Sequence, residues 1–173
     1  MTFADYARII SAPDPVNAQD LATKNYVDLA PNDRTYFARV QRAAAFTFTT
    51  ANTTYQIIYD SVLQGSNIGG MYNTTTGIYT APLAGVYAIR ASVSIGMTGS
   101  GSVTPAVRLN GANILVANSY QSIGTVATVG EVNGIIFCAV GDQIDFTCSC
   151  SVASQPLRGG YESQCSIARI GAL

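Results

Sequence analysis

Cys138, Cys148, Cys150 and Cys165 are the residues whose type best suits metal ligation or thiol chemistry, and Asp142 and Asp145 are the nearest thing to a catalytic carboxylate pair. Four thiolates would suit a tetrahedral zinc. Cys148-Ser149-Cys150, however, has a single intervening residue, where zinc knuckles space their ligands by roughly two to four. Cys148 and Cys150 also alternate in step with Ile144 and Phe146, which puts them on the inward face of a strand. They read as buried free thiols behaving as small apolar side chains, in a protein made in a reducing compartment. The sequence contains no histidine, which removes the commonest base, proton shuttle and metal ligand and with them a Ser or Cys triad. Asp142 and Asp145 lie beside a strand corner and read as solvated turn carboxylates, and a calcium site would need more clustered oxygens than they supply. Neither cofactor, metal nor catalytic residue is expected, and the chain is not expected to be an enzyme.

Other chemistry-bearing motifs fade in the same way. Gly96-Met97-Thr98-Gly99-Ser100-Gly101 is rich in glycine but does not join a strand to a helix, so it reads as a mobile loop and not a phosphate cradle. Asn52-Thr53-Thr54 and Asn73-Thr74-Thr75 match the glycosylation sequon. The first residues lack the basic and apolar regions of a secretory leader, so the expectation is synthesis in a cytoplasm and a chance match. Tryptophan is absent, which leaves any stacking on sugars to the ten tyrosines.

Composition points to assembly. Only 11% of the 173 residues are charged, the net charge is −1 and the nine basic residues are scattered. No stripe can neutralise a run of phosphates, so nucleic acid is not an expected partner. No apolar run approaches the ~20 residues that span a bilayer, so membrane insertion is not expected either. An apolar chain with so little surface charge is expected to cover part of its surface with another copy.

The elements that would position these residues fall into two parts, 1–34 and 35–173. In the first, Asn17 suits an N-cap and Asp20 the first turn of a short helix from Ala18 to Leu29, whose stripe of Leu21, Ala22, Tyr26 and Leu29 is too short to hold alone. Pro31-Asn32-Asp33 ends it, and the period then changes to two. Val86 to Ile95 alternates cleanly, with Tyr87, Ile89, Ala91, Val93 and Ile95 inward; Val103, Pro105, Val107 and Leu109 repeat the pattern. Asn110-Gly111 suits a two-residue hairpin because both positions tolerate positive φ. Asn73 to Tyr87 reads as turn, strand, turn, with Pro82 ending a strand and Gly85 turning the next corner. Phe37–Phe48 and Gly134–Val140 are apolar on both faces, which calls for cover on the second face, for instance from a neighbouring subunit.

These strands carry a resemblance. From Phe37 to Ile170 the chain resembles the globular heads of complement components and tumour-necrosis-factor-like proteins. The match rests on Phe37-Ala38-Arg39-Val40, Ile57-Ile58-Tyr59-Asp60, the Asn73–Tyr87 stretch, Val107-Arg108-Leu109-Asn110-Gly111, Val140-Gly141-Asp142-Gln143-Ile144 and Cys165-Ser166-Ile167-Ala168-Arg169-Ile170. It implies an all-β, antiparallel jelly-roll sandwich that assembles as a homotrimer. The collagen-like Gly-X-Y stalk that precedes many such heads is absent from the sequence. Ahead of the knob, Ala22-Thr23-Lys24-Asn25-Tyr26-Val27-Asp28 is similar to a short motif common in fibre proteins of tailed bacteriophages.

Together these resemblances imply a short trimeric head or tail fibre at the virion surface, synthesised in the host cytoplasm. Residues 1–30 would attach it to another virion protein, with Leu21, Lys24, Tyr26 and Val27 as anchoring candidates. Phe37, Val40, Phe46, Ile135 and Phe137 are the candidates for the trimer interface. Loops at 96–102, 120–125 and 153–160 would face a host surface glycan or protein, with Tyr120, Gln121, Gln155 and Arg158 in contact. The alternative is a capsid decoration protein that stabilises the head without binding a host.

Overall fold

The computed structural model describes residues 36–172, apart from the side chains of 64–66 and 68. These residues lie in the larger of two units of the chain, Asp33–Leu173. The expected helix and anchoring residues Leu21, Lys24, Tyr26 and Val27 fall outside the described residues. What is described is built from two antiparallel sheets. One holds β1 (Phe37–Arg42), β2 (Phe46–Phe48), β4 (Ser61–Asn67), β7 (Gly85–Gly96), β11 (Ala127–Cys138), β13 (Gln155–Arg158) and β14 (Gly160–Gly171). The other holds β3 (Thr54–Gln56), β5 (Tyr72–Asn73), β6 (Ile78–Thr80), β8 (Gly101–Leu109), β9 (Ala112–Val116), β10 (Tyr120–Ser122) and β12 (Gln143–Cys150).

β7 is the spine of the first sheet. β11 pairs with it over its full length, from Gly85↔Cys138 to Gly96↔Ala127. A strand has two edges, so β14 and β13 share the other one, at Val86–Ala91 and Ser94–Ile95. β8 is divided the same way, with β12 along one edge and β9 and β10 sharing the second. The break between β9 and β10 falls at Pro105. Its carbonyl accepts the Ala117 N–H at 3.0 Å, so its missing N–H faces that same edge and the ladder cannot continue there.

Period-two alternation sends Tyr87, Ile89, Ala91, Val93 and Ile95 from β7, and Ile144, Phe146, Cys148 and Cys150 from β12, into one core. Tyr59 meets Phe146 edge-to-face at 5.5 Å and Tyr79 meets Tyr87 at 6.0 Å. The Tyr59 hydroxyl donates to the Ser92 carbonyl across the sandwich at 3.1 Å, and that of Tyr87 donates to Leu83 at 2.7 Å. Thr147 departs from the pattern. Expected outward, it is buried between its cross-strand neighbours Gln56 and Ala106.

The turns behave as their residues require. Asn110 and Gly111 both have positive φ, 50° and 83°, and close the β8–β9 hairpin between Leu109 and Ala112. Asn73 Oδ1 accepts the N–H groups of Thr75 and Thr76, and Gly77 closes the turn at φ 71°. Ala43–Ala45 leaves the sheet, splitting β1 from β2. The Asp60 carboxylate accepts the Ala43 and Ala44 N–H groups at 2.6 and 3.0 Å, while Arg42 donates to the carbonyls of Ala44 and Ile58. Burial pushes the Asp60 carboxyl up, but those N–H groups and the Arg42 guanidinium outweigh it and hold it below its ordinary value.

Gly85 differs from the expectation of a flexible corner. It is the buried first residue of β7, and a Cβ there would collide with the Gly171 carbonyl oxygen and stand 2.6 Å from Arg169 Nε. Close approach of backbone to backbone, and not turn geometry, requires glycine. Gly85→Ala is expected to destabilise the fold by about 1–3 kcal/mol, read as a lower urea midpoint at unchanged m-value.

Candidate functional site

The thiols and carboxylates do not assemble into a reactive centre. All four cysteines are free and buried. Burial pushes Cys138 up to about 11 and Cys148 up to about 12, so neither is a thiolate at neutral pH. Cys150 Sγ rests 3.8 Å from Met97 Sδ. Asp145 is held by Arg108 in a two-pronged pair at 2.6 and 2.8 Å, and Asp142 accepts from Asn110 Nδ2 and the Ala139 N–H. Asp145 therefore ties β12 to β8 across the ladder, and Asp142 braces the corner before β12. Among the described residues no group of three or more His, Cys, Asp or Glu side chains could hold a metal ion.

Two surfaces stand out instead. The first is the outer face of the β1–β14–β7–β11 sheet. Pairing places Phe37, Ala168, Ala88 and Ile135 in one cross-strand row. Ile135 is 61% exposed and Phe137, one step further along β11, is 65% exposed. The next row is polar: Arg39, Ser166, Arg90 and Asn133. Arg39 donates to Gln164 Oε1 and Arg90 to Glu131 Oε1, both at 3.1 Å. These side chains rim a depression of about 260 Å³ beside Phe37. The sequence reading missed Arg39, Arg90 and Glu131, although each lies two or four residues from an apolar residue of the same face and alternation alone would have found them.

The second surface is the end of the sandwich opposite the start of β1. There the turns after β7, β10 and β12 come together: Met97 N–H donates to Val126 O, and Ser151 N–H to Ser102 O. Ile123 is 91% exposed at the β10–β11 turn. Along the flank of the sandwich a groove of about 380 Å³ runs between the β9–β10 edge and the middle of β11, its floor including Leu115 and Val132. It opens where Pro105 interrupts pairing, and Tyr120 crosses it to donate to the Glu131 carbonyl at 2.8 Å. Gly134 keeps the two edges close, since a Cβ there would stand 2.7 Å from Leu115 Cδ1.

The residues expected to act at these surfaces distribute unevenly. Phe37, Ile135 and Phe137 do lie together on the outer sheet face. Val40 does not: it is fully buried in its own core, because it alternates with Phe37 and Arg39 in the opposite sense. Phe46 is half-buried against Phe48 and Tyr55 of its own chain, at 5.2 and 5.6 Å, with the Arg42 guanidinium over its ring. Gln121 and Arg158 are exposed, and Arg158 pairs with Glu162 at 3.4 Å. Tyr120 is half-buried with its hydroxyl committed. Gln155 is 2% exposed and so cannot touch an outside surface. Its Oε1 accepts the Thr98 N–H at 2.7 Å and its Nε2 donates to Ala153 O at 2.7 Å, tying two end loops together. Nor are the expected loops wholly loops: 120–122 forms β10, 155–158 forms β13, and Met97 is buried, anchoring the turn expected to be mobile.

No family model matches the chain, and no curated protein matches it. Among solved structures, the globular domain of a zebrafish complement 1qA protein is similar, with a TM-score of 0.54 at 11% identity, over 79% of this chain and 98% of that one. At that identity the likeness is one of fold. The described chain is a jelly roll of the complement and tumour-necrosis-factor type, as the sequence resemblance implied.

Gln155→Ala is expected to free the end loops while leaving the sandwich intact. Hydrogen exchange at Thr98 should rise by an order of magnitude or more, equivalent to roughly 1–3 kcal/mol, with exchange in the middle of β7 unchanged.

Proposed function

We propose that this chain is a self-assembling, non-catalytic virion protein of a tailed phage. In this reading three knobs associate through the outer face of the first sheet, and residues 1–30 hold the trimer to another virion protein. The observation that carries the reading is the apolar patch of Phe37, Ile135 and Phe137, in which Phe37 is half-buried and the other two are largely exposed. A monomer gains nothing from exposing it, and covering each large side chain yields on the order of 1–2 kcal/mol. Three identical chains closing a ring would cover it three times over.

The polarity of the knob supports an attachment role. β1 begins at the end that carries Gly85, Cys138 and Gly171, while the turns tied by Gln155 lie at the opposite end. Loops held on a rigid sandwich, facing away from the point of attachment, are where binding to a host surface glycan or protein is best served. Gln121, Arg158 and Ile123 are among the exposed side chains there. The fibre-like Ala22–Asp28 stretch favours this role over capsid decoration alone.

Light scattering should return three times the chain mass of 18.1 kDa, and Phe137→Asp or Ile135→Asp should return the mass of one folded chain. A wild-type monomer at every concentration would overturn the assembly reading. Purified knob should also compete with whole particles for adsorption to host cells. Failure to compete, together with antibody labelling of heads and undiminished adsorption of particles lacking the protein, would establish the decoration role instead.

A further inference from the structure

The outer face of the first sheet carries its apolar row next to charges, and these are not balanced among the described residues. Among the described carboxylates, Asp60 is occupied by two backbone N–H groups and Arg42. Asp145 is occupied by Arg108, Asp142 by Asn110 and Ala139, and Glu162 by Arg158 and Ser94. Glu131 makes one such contact, from Arg90 to Oε1, and its Oε2 has spare acceptor capacity. On the cationic side Arg39 makes one hydrogen bond, to the neutral Gln164 amide, and no described carboxylate lies within pairing distance. Four of its five N–H donors are left to solvent.

Arg39 and Glu131 cannot satisfy each other within one chain. β14 and β7 stand between β1 and β11, so the two residues are separated by three strand spacings, roughly 14 Å. Arg90 occupies the ground between them and already holds one Glu131 oxygen. Yet both lie on the face whose apolar row calls for cover. Covering that face with an apolar surface alone would bury the Arg39 guanidinium unpaired, a cost of several kcal/mol that would cancel much of the gain. Whatever covers the row must bring a carboxylate to Arg39.

We infer that a second copy of this chain supplies it, with Glu131 of one protomer entering the depression beside Phe37 to pair with Arg39 of the next. The inference rests on the assembly reading above. Glu131 sits on β11, the outermost paired strand of the sheet, and Arg39 sits across the face on β1. An edge-to-face contact therefore joins them, and repeating it around a ring gives every Glu131 two guanidinium partners, Arg90 of its own chain on Oε1 and Arg39 of the next on Oε2. The depression, about 260 Å³, is below the usual size of a small-molecule pocket and suits a single inserted side chain. The pair would fix register: the apolar row alone permits the copies to slide along the strands, whereas a buried charge pair holds in one position.

The test is the dissociation constant of the full-length assembly, from sedimentation at several concentrations. Arg39→Glu and Glu131→Arg should each weaken it by roughly 30-fold or more, and the double exchange should recover most of the loss. Arg39→Gln and Glu131→Gln remove charge without reversing it. Singly they should each weaken association, and together they should cost no more than either alone. Circular dichroism of the dissociated variants confirms that each chain remains folded. Wild-type association with all four single variants unaffected, or with losses that simply add in the double variants, would overturn the Arg39–Glu131 pair and leave self-assembly standing. A wild-type protein that never associates would overturn both.

Discussion

The pleat of the β7–β11 ladder is the constraint on which the rest depends. Twelve consecutive residues of β11 pair with β7 without a register shift, so alternation admits no local exception along the strand. Val132, Ile136 and Cys138 must enter the core because β7 presents its buried residues to the same side. Once they do, Glu131, Asn133, Ile135 and Phe137 are outside, whatever their polarity. An apolar Gly134–Val140 segment thus cannot bury both its faces in one chain. Large apolar groups, Ile135 and Phe137, therefore stand on the outer face where β7 and β12 use Ser and Thr.

Much of the sandwich was legible because it depends on local signals of fixed period. The Val86–Ile95 strand, the Asn110-Gly111 hairpin and the turn that opens the Asn73–Tyr87 stretch are each set by residues within a few positions of one another, and each is found where expected. Failures occurred where a distant partner decides. Gln155 lies in a polar, proline-containing stretch that reads as loop, and nothing local announces that Thr98, 57 positions earlier, will draw its amide inside. Val40 is a trimer-interface candidate by residue type, although its opposite parity to Phe37 and Arg39 turns it into the core. Gly85 was correctly singled out for the wrong reason, since the crowding comes from Gly171 and Arg169 at the far end of the chain.

Function was less legible, and the physical cause is plain. The chemistry-bearing side chains are spent on structure: Asp60 and Asp142 each stiffen a corner, Asp145 ties β12 to β8 through Arg108, and the four thiols fill the core. Sequence reveals residue type but not whether a group is already satisfied, and satisfaction separates a brace from a site. The same accounting, applied in reverse, picks out Arg39 and Glu131, which look unremarkable in a strand of mixed polarity.

A chain with 11% charged residues has few means of choosing among the ways two apolar faces can meet. Hydrophobic cover is non-directional and roughly proportional to area, so rows such as Phe37–Ala168–Ala88–Ile135 would accept several offsets of nearly equal energy. A charge pair need contribute little net stability to remove that degeneracy, because each wrong offset leaves a guanidinium buried without a carboxylate. Sparse charge therefore makes each charged residue on the contact face more decisive. Where surface ion pairs are plentiful, any single one matters little to register. In the inferred assembly, with Arg39 on β1 and Glu131 on β11 of one otherwise weakly directional face, the pair would fix the partner's position along the strands.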